Sequence, residues 1–148
     1  MIDPKVAAFL KELERFGVEN DARESDRQHM MLNIQKSTGE FLYWLACAVQ
    51  AQRILEIGTS NGFSTLWLAS AARETGGKVT TVEIAEHKVE MARQNFERAG
   101  LGAWIDARRA DAGEFIKQPD ANAFDLIFLD TQRERHAAWW RDLQKILA

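Results

Sequence analysis

Residues 53–64 read Arg53-Ile54-Leu55-Glu56-Ile57-Gly58-Thr59-Ser60-Asn61-Gly62-Phe63-Ser64, and they decide the fold. The first five form a short run, apolar at Ile54, Leu55 and Ile57 with two of these β-branched, and it stops at a glycine, as a strand buried in a parallel sheet does. Gly58 and Gly62 then bracket a polar turn that runs into an apolar-periodic segment, the start of a helix. Glycine on such a turn lets backbone approach a ligand closely, and free N–H groups at a helix start can donate hydrogen bonds to it.

Outward from this unit the same alternation repeats. A helix is expected over 63–73, a strand over Lys78–Glu83, a helix over 86–99, a strand over 104–109, a short helix over 112–117, a strand over Phe124–Leu129 and a last helix over 133–147. The strand at 124–129 is apolar on both faces, so it expects a layer on each side. On the amino-terminal side, Val6, Phe9, Leu10, Leu13 and Phe16 recur at helical spacing behind Pro4, which suits a first turn. The polar stretch 19–28 reads as a solvated helix. Ser37 and Thr38 offer capping hydroxyls ahead of an apolar-periodic segment running to about Gln50. Alternating strands and helices with short connections specify an α/β fold, a doubly wound and mostly parallel sheet. No repeat or long linker divides the chain, so 1–148 reads as one domain, with a helical segment over 1–36 and the α/β core over 37–148.

Composition narrows the function. With 46% hydrophobic and 28% charged residues, the 148-residue chain lies in the range of ordinary globular domains. A net charge of -3, with basic and acidic residues intermixed, gives no footprint for nucleic acid. Cys47 is the single cysteine and sits in an apolar run, so it reads as a reduced core thiol in a cytoplasmic protein. No targeting segment is visible, and no run reaches the roughly 18 apolar residues of a membrane span.

In a doubly wound sheet, ligands bind beyond the carboxyl ends of the strands. Glu56 places a carboxylate at the first strand's end, where it can face a ligand's ammonium group. Glu83 ends the second strand, where a carboxylate can accept both hydroxyls of a ribose. Asp111 and Ala112 follow the third strand, and Asp130 follows the fourth. Plainer readings stand beside these: Asn61-Gly62 is by itself a turn signal, Glu56 alone can be a solvated strand-end acid, and Asp111 and Asp130 can simply cap the helices that follow. The five tryptophans read as packing residues, and His29, His87 and His136 show no metal-ligand spacing and read as surface residues.

The stretch from Ile54 to Ala69 resembles motif I of the cation-dependent O-methyltransferases, the group that contains catechol and caffeoyl-coenzyme A O-methyltransferases. Val79-Thr80-Thr81-Val82-Glu83 is similar to that family's ribose-binding strand, 92–100 to the helix after it, Ala110-Asp111-Ala112 to its adenine-side turn, and 124–130 to its fourth strand. The resemblance implies a Rossmann-like methyltransferase sheet in the order 3-2-1-4 and S-adenosylmethionine as cofactor. It implies cofactor contacts at Glu56, Gly58, Thr59, Ser60, Gly62, Ser64, Glu83, Ile84, Asp111 and Ala112. At Asp130 it implies a catalytic ligand for a divalent cation such as magnesium, which in that family holds the acceptor's oxygens. The implied reaction is methyl transfer to a hydroxyl oxygen of a small molecule.

Two departures stand beside the resemblance. Family members continue into a fifth strand ending in an Asp-Asn pair that completes the metal site, whereas this sequence stops at Ala148, leaving Asp130 as a lone carboxylate. In Thr131-Gln132-Arg133, relatives carry a second acid and a lysine able to act as base, while an arginine stays protonated. A sheet ending at strand four also presents an unpaired apolar edge, so self-association into a homo-oligomer is expected. Two other readings remain open: a catalytically inactive S-adenosylmethionine-binding fragment, and a nicotinamide-binding domain. The latter's fingerprint wants a glycine where Ser60 stands.

Overall fold

The computed structural model describes residues 1–131 and 133–148. Gln132, part of the turn that departs from the family pattern, lies outside the described residues. Helix α1 spans Pro4–Arg23, with the Asp3 side chain accepting the Lys5 N–H at 2.8 Å as its N-cap and Pro4 in the first turn. It outruns its apolar stripe by almost two turns, then stops short of the solvated helix expected to Gln28. The stop has a local cause. Glu24 takes the Asp26 N–H and Asp26 takes the Gln28 N–H, both at 2.9 Å, so side chains satisfy donors that a helix would have used.

Helix α2, Lys36–Ala48, follows. Its cap residue is Gln35 with no side-chain cap bond, so the hydroxyls of Ser37 and Thr38 fall inside the helix instead of capping it. Then come β1 (Arg53–Ile57), α3 (Phe63–Thr75), β2 (Lys78–Glu83), α4 (Glu86–Arg98), a 3-10 turn at Gly102–Trp104 and β3 (Ile105–Arg109). A one-turn α5 (Ala112–Phe115), β4 (Leu126–Leu129), a 3-10 turn at Arg133–Arg135 and α6 (His136–Ile146) complete the described elements.

All four strands are parallel, in the order β3-β2-β1-β4, as the resemblance implied. Strand alternation divides the core into two layers. Ile54 and Val79 face α1, α2, α3 and α4, whereas Leu55, Ile57 and Val82 face α5 and α6. Helix α3 is sandwiched so fully that every residue from Phe63 to Ala72 is buried.

The β4 side is thinner than its sequence suggests. Leu126 is buried, but Ile127, Phe128 and Leu129 are half-buried, because β4 has a strand neighbour on one side only along its length. At its base, Asp125 ties β4 to β1, accepting the backbone N–H groups of Gln52 and Arg53 at 3.0 and 2.9 Å and pairing with the Arg53 guanidinium. Beyond α6 the backbone returns to the same place: Phe124 and Leu147 form a parallel bridge, closed by Phe124 N–H to Ile146 C=O at 2.9 Å and Ala148 N–H to Phe124 C=O at 2.8 Å.

Candidate functional site

The turn between β1 and α3 is built from left-handed backbone. Gly58 has φ +104°, Ser60 φ +47° and Gly62 φ +87°. A Cβ on Gly58 would overlap the Asp130 carbonyl oxygen, and one on Gly62 would overlap the Phe96 ring, so both positions require glycine on steric as well as conformational grounds. Ser60 has no such freedom and is held from two sides. Its N–H donates to Glu83 Oε2 at 3.0 Å, and its hydroxyl donates to the Met31 carbonyl at 2.6 Å. Asn61 is fully buried: its Oδ1 accepts the Phe63 N–H, its carbonyl accepts Asn95 Nδ2 at 2.8 Å, and its own Nδ2 has no partner.

Glu83 stands at the end of β2, one oxygen on Ser60 and the other accepting the N–H groups of Ile84 and Ala85 at 2.9 and 3.0 Å. These three backbone donors fix the carboxylate beside the turn. Ile84 is exposed next to it.

Glu56 lies beneath the turn, fully buried. Ser64 Oγ donates to its Oε1 at 2.5 Å, while Thr81 Oγ1, at 2.6 Å, and Thr65 Oγ1 donate to its Oε2. Burial pushes the Glu56 carboxyl up to about 7, against the three hydroxyls, which favour ionisation, and with the charge of Asp130 adding to the rise. A ligand in the cleft above therefore meets Ser64 before it meets Glu56.

The cleft is lined by Gly58, Thr59, Ser60, Asn61, Phe63 and Ser64 below, Asp130 at one side and the segment Met31–Ile34 above. Its enclosed volume is only about 10 Å³, far below the roughly 300–1,000 Å³ of small-molecule sites. The covering segment is anchored by Asp21, whose carboxylate accepts the N–H groups of Met31 and Leu32 at 2.7 and 2.8 Å, and by Lys88 Nζ donating to the Met30 carbonyl. Burial works against ionisation of Asp21, but these bonds and the Asn20 amide outweigh it and hold its pKa below the ordinary carboxylate value.

Five residues named from sequence thus line one cleft, Gly58, Thr59, Ser60, Ser64 and Asp130, with Gly62 in the turn beneath them; Glu83 is joined through Ser60 and Glu56 through Ser64. Asp111 and Ala112 are not among the residues lining the cleft. Asp111 caps α5, accepting the Glu114 N–H at 3.1 Å, and faces Arg135 at 3.7 Å. His136 is half-buried with an unpartnered Nε2, and Cys47 is half-buried, so neither is wholly surface nor wholly core. Sequence reading missed Met31–Ile34, Asp21, Thr65, Thr81 and Asn95. Thr81 had a signal, since parallel register pairs it with Glu56; the others act across distances that local pattern does not encode.

The turn, the fixed Glu83 carboxylate, the orphaned Asn61 amide and the Ser64 hydroxyl suit a ligand bearing hydroxyls and a zwitterionic end. A divalent cation fits poorly. Among the described residues no group of three or more His, Cys, Asp or Glu side chains comes together, and burial raises the Asp130 carboxyl's pKa, partly offset by Arg133 and His136.

A family model described as O-methyltransferase matches residues 4–148. The catechol O-methyltransferase of Mycobacterium tuberculosis is 36% identical over 137 residues, covering 93% of this chain and 57% of that protein. The catechol O-methyltransferase of Niastella koreensis is 32% identical over 113 residues, covering 74% of this chain and 51% of its own. The structure of an O-methyltransferase from Bacillus cereus in complex with SAH superposes with a TM-score of 0.78 at 29% identity, covering 95% of this chain and 62% of that one. The chain therefore spans less than two thirds of the length of these relatives.

Proposed function

This chain belongs to the O-methyltransferase family, and from that premise we propose that it binds S-adenosylmethionine in the cleft above Gly58–Ser64 and directs methyl transfer to a hydroxyl oxygen of a small molecule. One observation carries the reading: the left-handed turn at Gly58, Ser60 and Gly62 is clasped to the Glu83 carboxylate, in the chain of a family whose relative is seen with SAH. Bound there, the cofactor would supply an electrophilic sulfonium methyl. The protein's part is to hold and orient it.

Glu83, fixed by three backbone donors, accepts the ribose hydroxyls, with Ile84 beside it. Gly58, Thr59, Ser60 and Gly62 bring backbone close, Ser64 meets the amino-acid end above Glu56, and Asp111 with Ala112 borders the base. Asp130 is the acceptor-side acid: as a carboxylate it accepts a hydrogen bond from the incoming hydroxyl and would take that hydroxyl's proton as the methyl passes to the oxygen and the thioether nucleoside is released. Arg133 balances charge and takes no proton. No step is routed through a metal, because the described residues do not provide a donor set for one. That no further acid joins Asp130 among the described residues favours a second reading, a chain that binds cofactor without turning it over. A cytoplasmic, homo-oligomeric protein with no nucleic-acid or membrane partner completes the proposal; among the described residues no helix is long and apolar enough to cross a membrane.

Calorimetry with S-adenosylhomocysteine and with NAD tests the cofactor. Binding of the thioether nucleoside and not of NAD is expected, and the reverse overturns the proposal. A methylation assay with a catechol, with and without magnesium, then separates transfer from binding alone.

A further inference from the structure

Beneath the cofactor turn runs a chain of hydrogen bonds whose two ends line the cleft and whose middle does not. Thr59 Oγ1 lies 2.6 Å from Thr81 Oγ1, Thr81 Oγ1 lies 2.6 Å from Glu56 Oε2, and Glu56 Oε1 accepts from Ser64 at 2.5 Å. Thr59 and Ser64 line the cleft; Thr81 and Glu56 are fully buried below it. The parallel register makes the contact possible, because Thr81 and Glu56 share a rung and so point to the same face, toward α3.

A hydroxyl has one hydrogen to give. When Glu56 is ionised it holds no hydrogen, so Ser64, Thr65 and Thr81 all donate to it. Thr81 has then spent its hydrogen and can only accept from Thr59, which must donate inward as well. Neither end then has a hydrogen left to donate toward the cleft, which suits a ligand ammonium group. When Glu56 carries a proton there is one hydrogen too many, and a hydroxyl has to turn its own away. Thr81 connects the Thr59 end to the acid.

We propose that Thr81 is a positioning residue for the cofactor site, whose single hydroxyl hydrogen couples Thr59 to Glu56 and so sets the direction in which the turn's hydroxyls face a bound amino-acid group. The proposal rests on the cofactor reading above. It assigns Glu56 an indirect action, through Ser64 and Thr81. The groups around Glu56 are the hydroxyls of Ser64 and Thr65 on α3 and of Thr81 on β2, the uncharged Phe128 on the neighbouring rung of β4, and the charge of Asp130 beyond that strand's end. Burial raises the acid to about 7, so the chain changes direction near neutral pH.

The test is S-adenosylhomocysteine affinity by calorimetry from pH 5.5 to 8.5, on the 148-residue chain and on Thr81→Val and Thr81→Ser. For the unmodified chain, affinity should rise as pH passes through about 7. Thr81→Val strands the Thr59 hydroxyl and removes one donor from Glu56; it should weaken binding at pH 8 about tenfold and move the rise to higher pH. Thr81→Ser should restore both. If Thr81→Val melts earlier but binds with the original affinity and pH dependence, Thr81 is merely structural and the proposal is overturned. Should Thr81→Val fail to fold, Thr81→Cys, a weak donor, takes its place with the same two outcomes. An unmodified chain that folds but does not bind S-adenosylhomocysteine overturns the cofactor reading and this proposal with it.

Discussion

Glu56 is a carboxyl group sealed in the core with its pKa raised to about 7, well above the 4.5 of a free glutamate. A group that binds its proton more tightly when folded stabilises the fold below its unfolded pKa and loses that contribution as pH rises through its folded one. Between about pH 4.5 and pH 7 the stability should therefore fall with rising pH, by on the order of 3 kcal/mol. Urea denaturation across that window should show the decline, and Glu56→Gln should flatten it; an equal slope in both proteins would count against the assignment. The acid itself was legible in the sequence, because a strand, a glycine turn and a helix are local patterns. Its environment was only partly so. The three hydroxyls come from two elements, and Asp21 and Asn95, which hold the covering segment and the turn, are remote in sequence from what they hold.

At the scale of elements, the junction of β1 and β4 rests on Asp125. Two backbone donors and the Arg53 guanidinium converge on it; the Arg53 side chain leads in holding its pKa down at about 2. This contribution has the opposite pH sense, present above about pH 4 and lost as pH falls toward 2. Asp125→Ala should cost about 2 kcal/mol in urea denaturation at pH 7, the scale of hydrogen bonds to a charged acceptor, and a loss below 0.5 kcal/mol would mean that β4 is held by packing alone. Strands β1 and β2 were readable to the residue since β-branched residues mark both and a glycine stop ends β1. The end of α1 was not, because side chains of Glu24 and Asp26 competed for the helix's donors, and β4 began later than its apolar run because Phe124 pairs with Leu147 instead.

For the whole molecule, the sheet order followed from the resemblance, while the surface could not be read from pattern alone. Phe41, Trp44, Leu45 and Val49 lie exposed on or just after α2, on the side away from its packed residues, and β4 leaves an unpaired edge. Light scattering should detect species heavier than one chain at rising concentration, and Trp44→Glu should reduce them. A monomer at every concentration would remove the homo-oligomer from the proposed function.

The segment Met31–Ile34, fastened by Asp21 and Ser60 over a cleft whose enclosed volume is about 10 Å³, also governs time. A ligand of nucleoside size can enter only after those bonds open, so entry becomes a two-stage event with a unimolecular first stage. In stopped-flow mixing with S-adenosylhomocysteine, the observed rate should climb and then level off at a ceiling set by the protein. Asp21→Ala, which releases two of the bonds, should lift that ceiling, whereas a rate that stays linear in ligand would show that the cleft stands open.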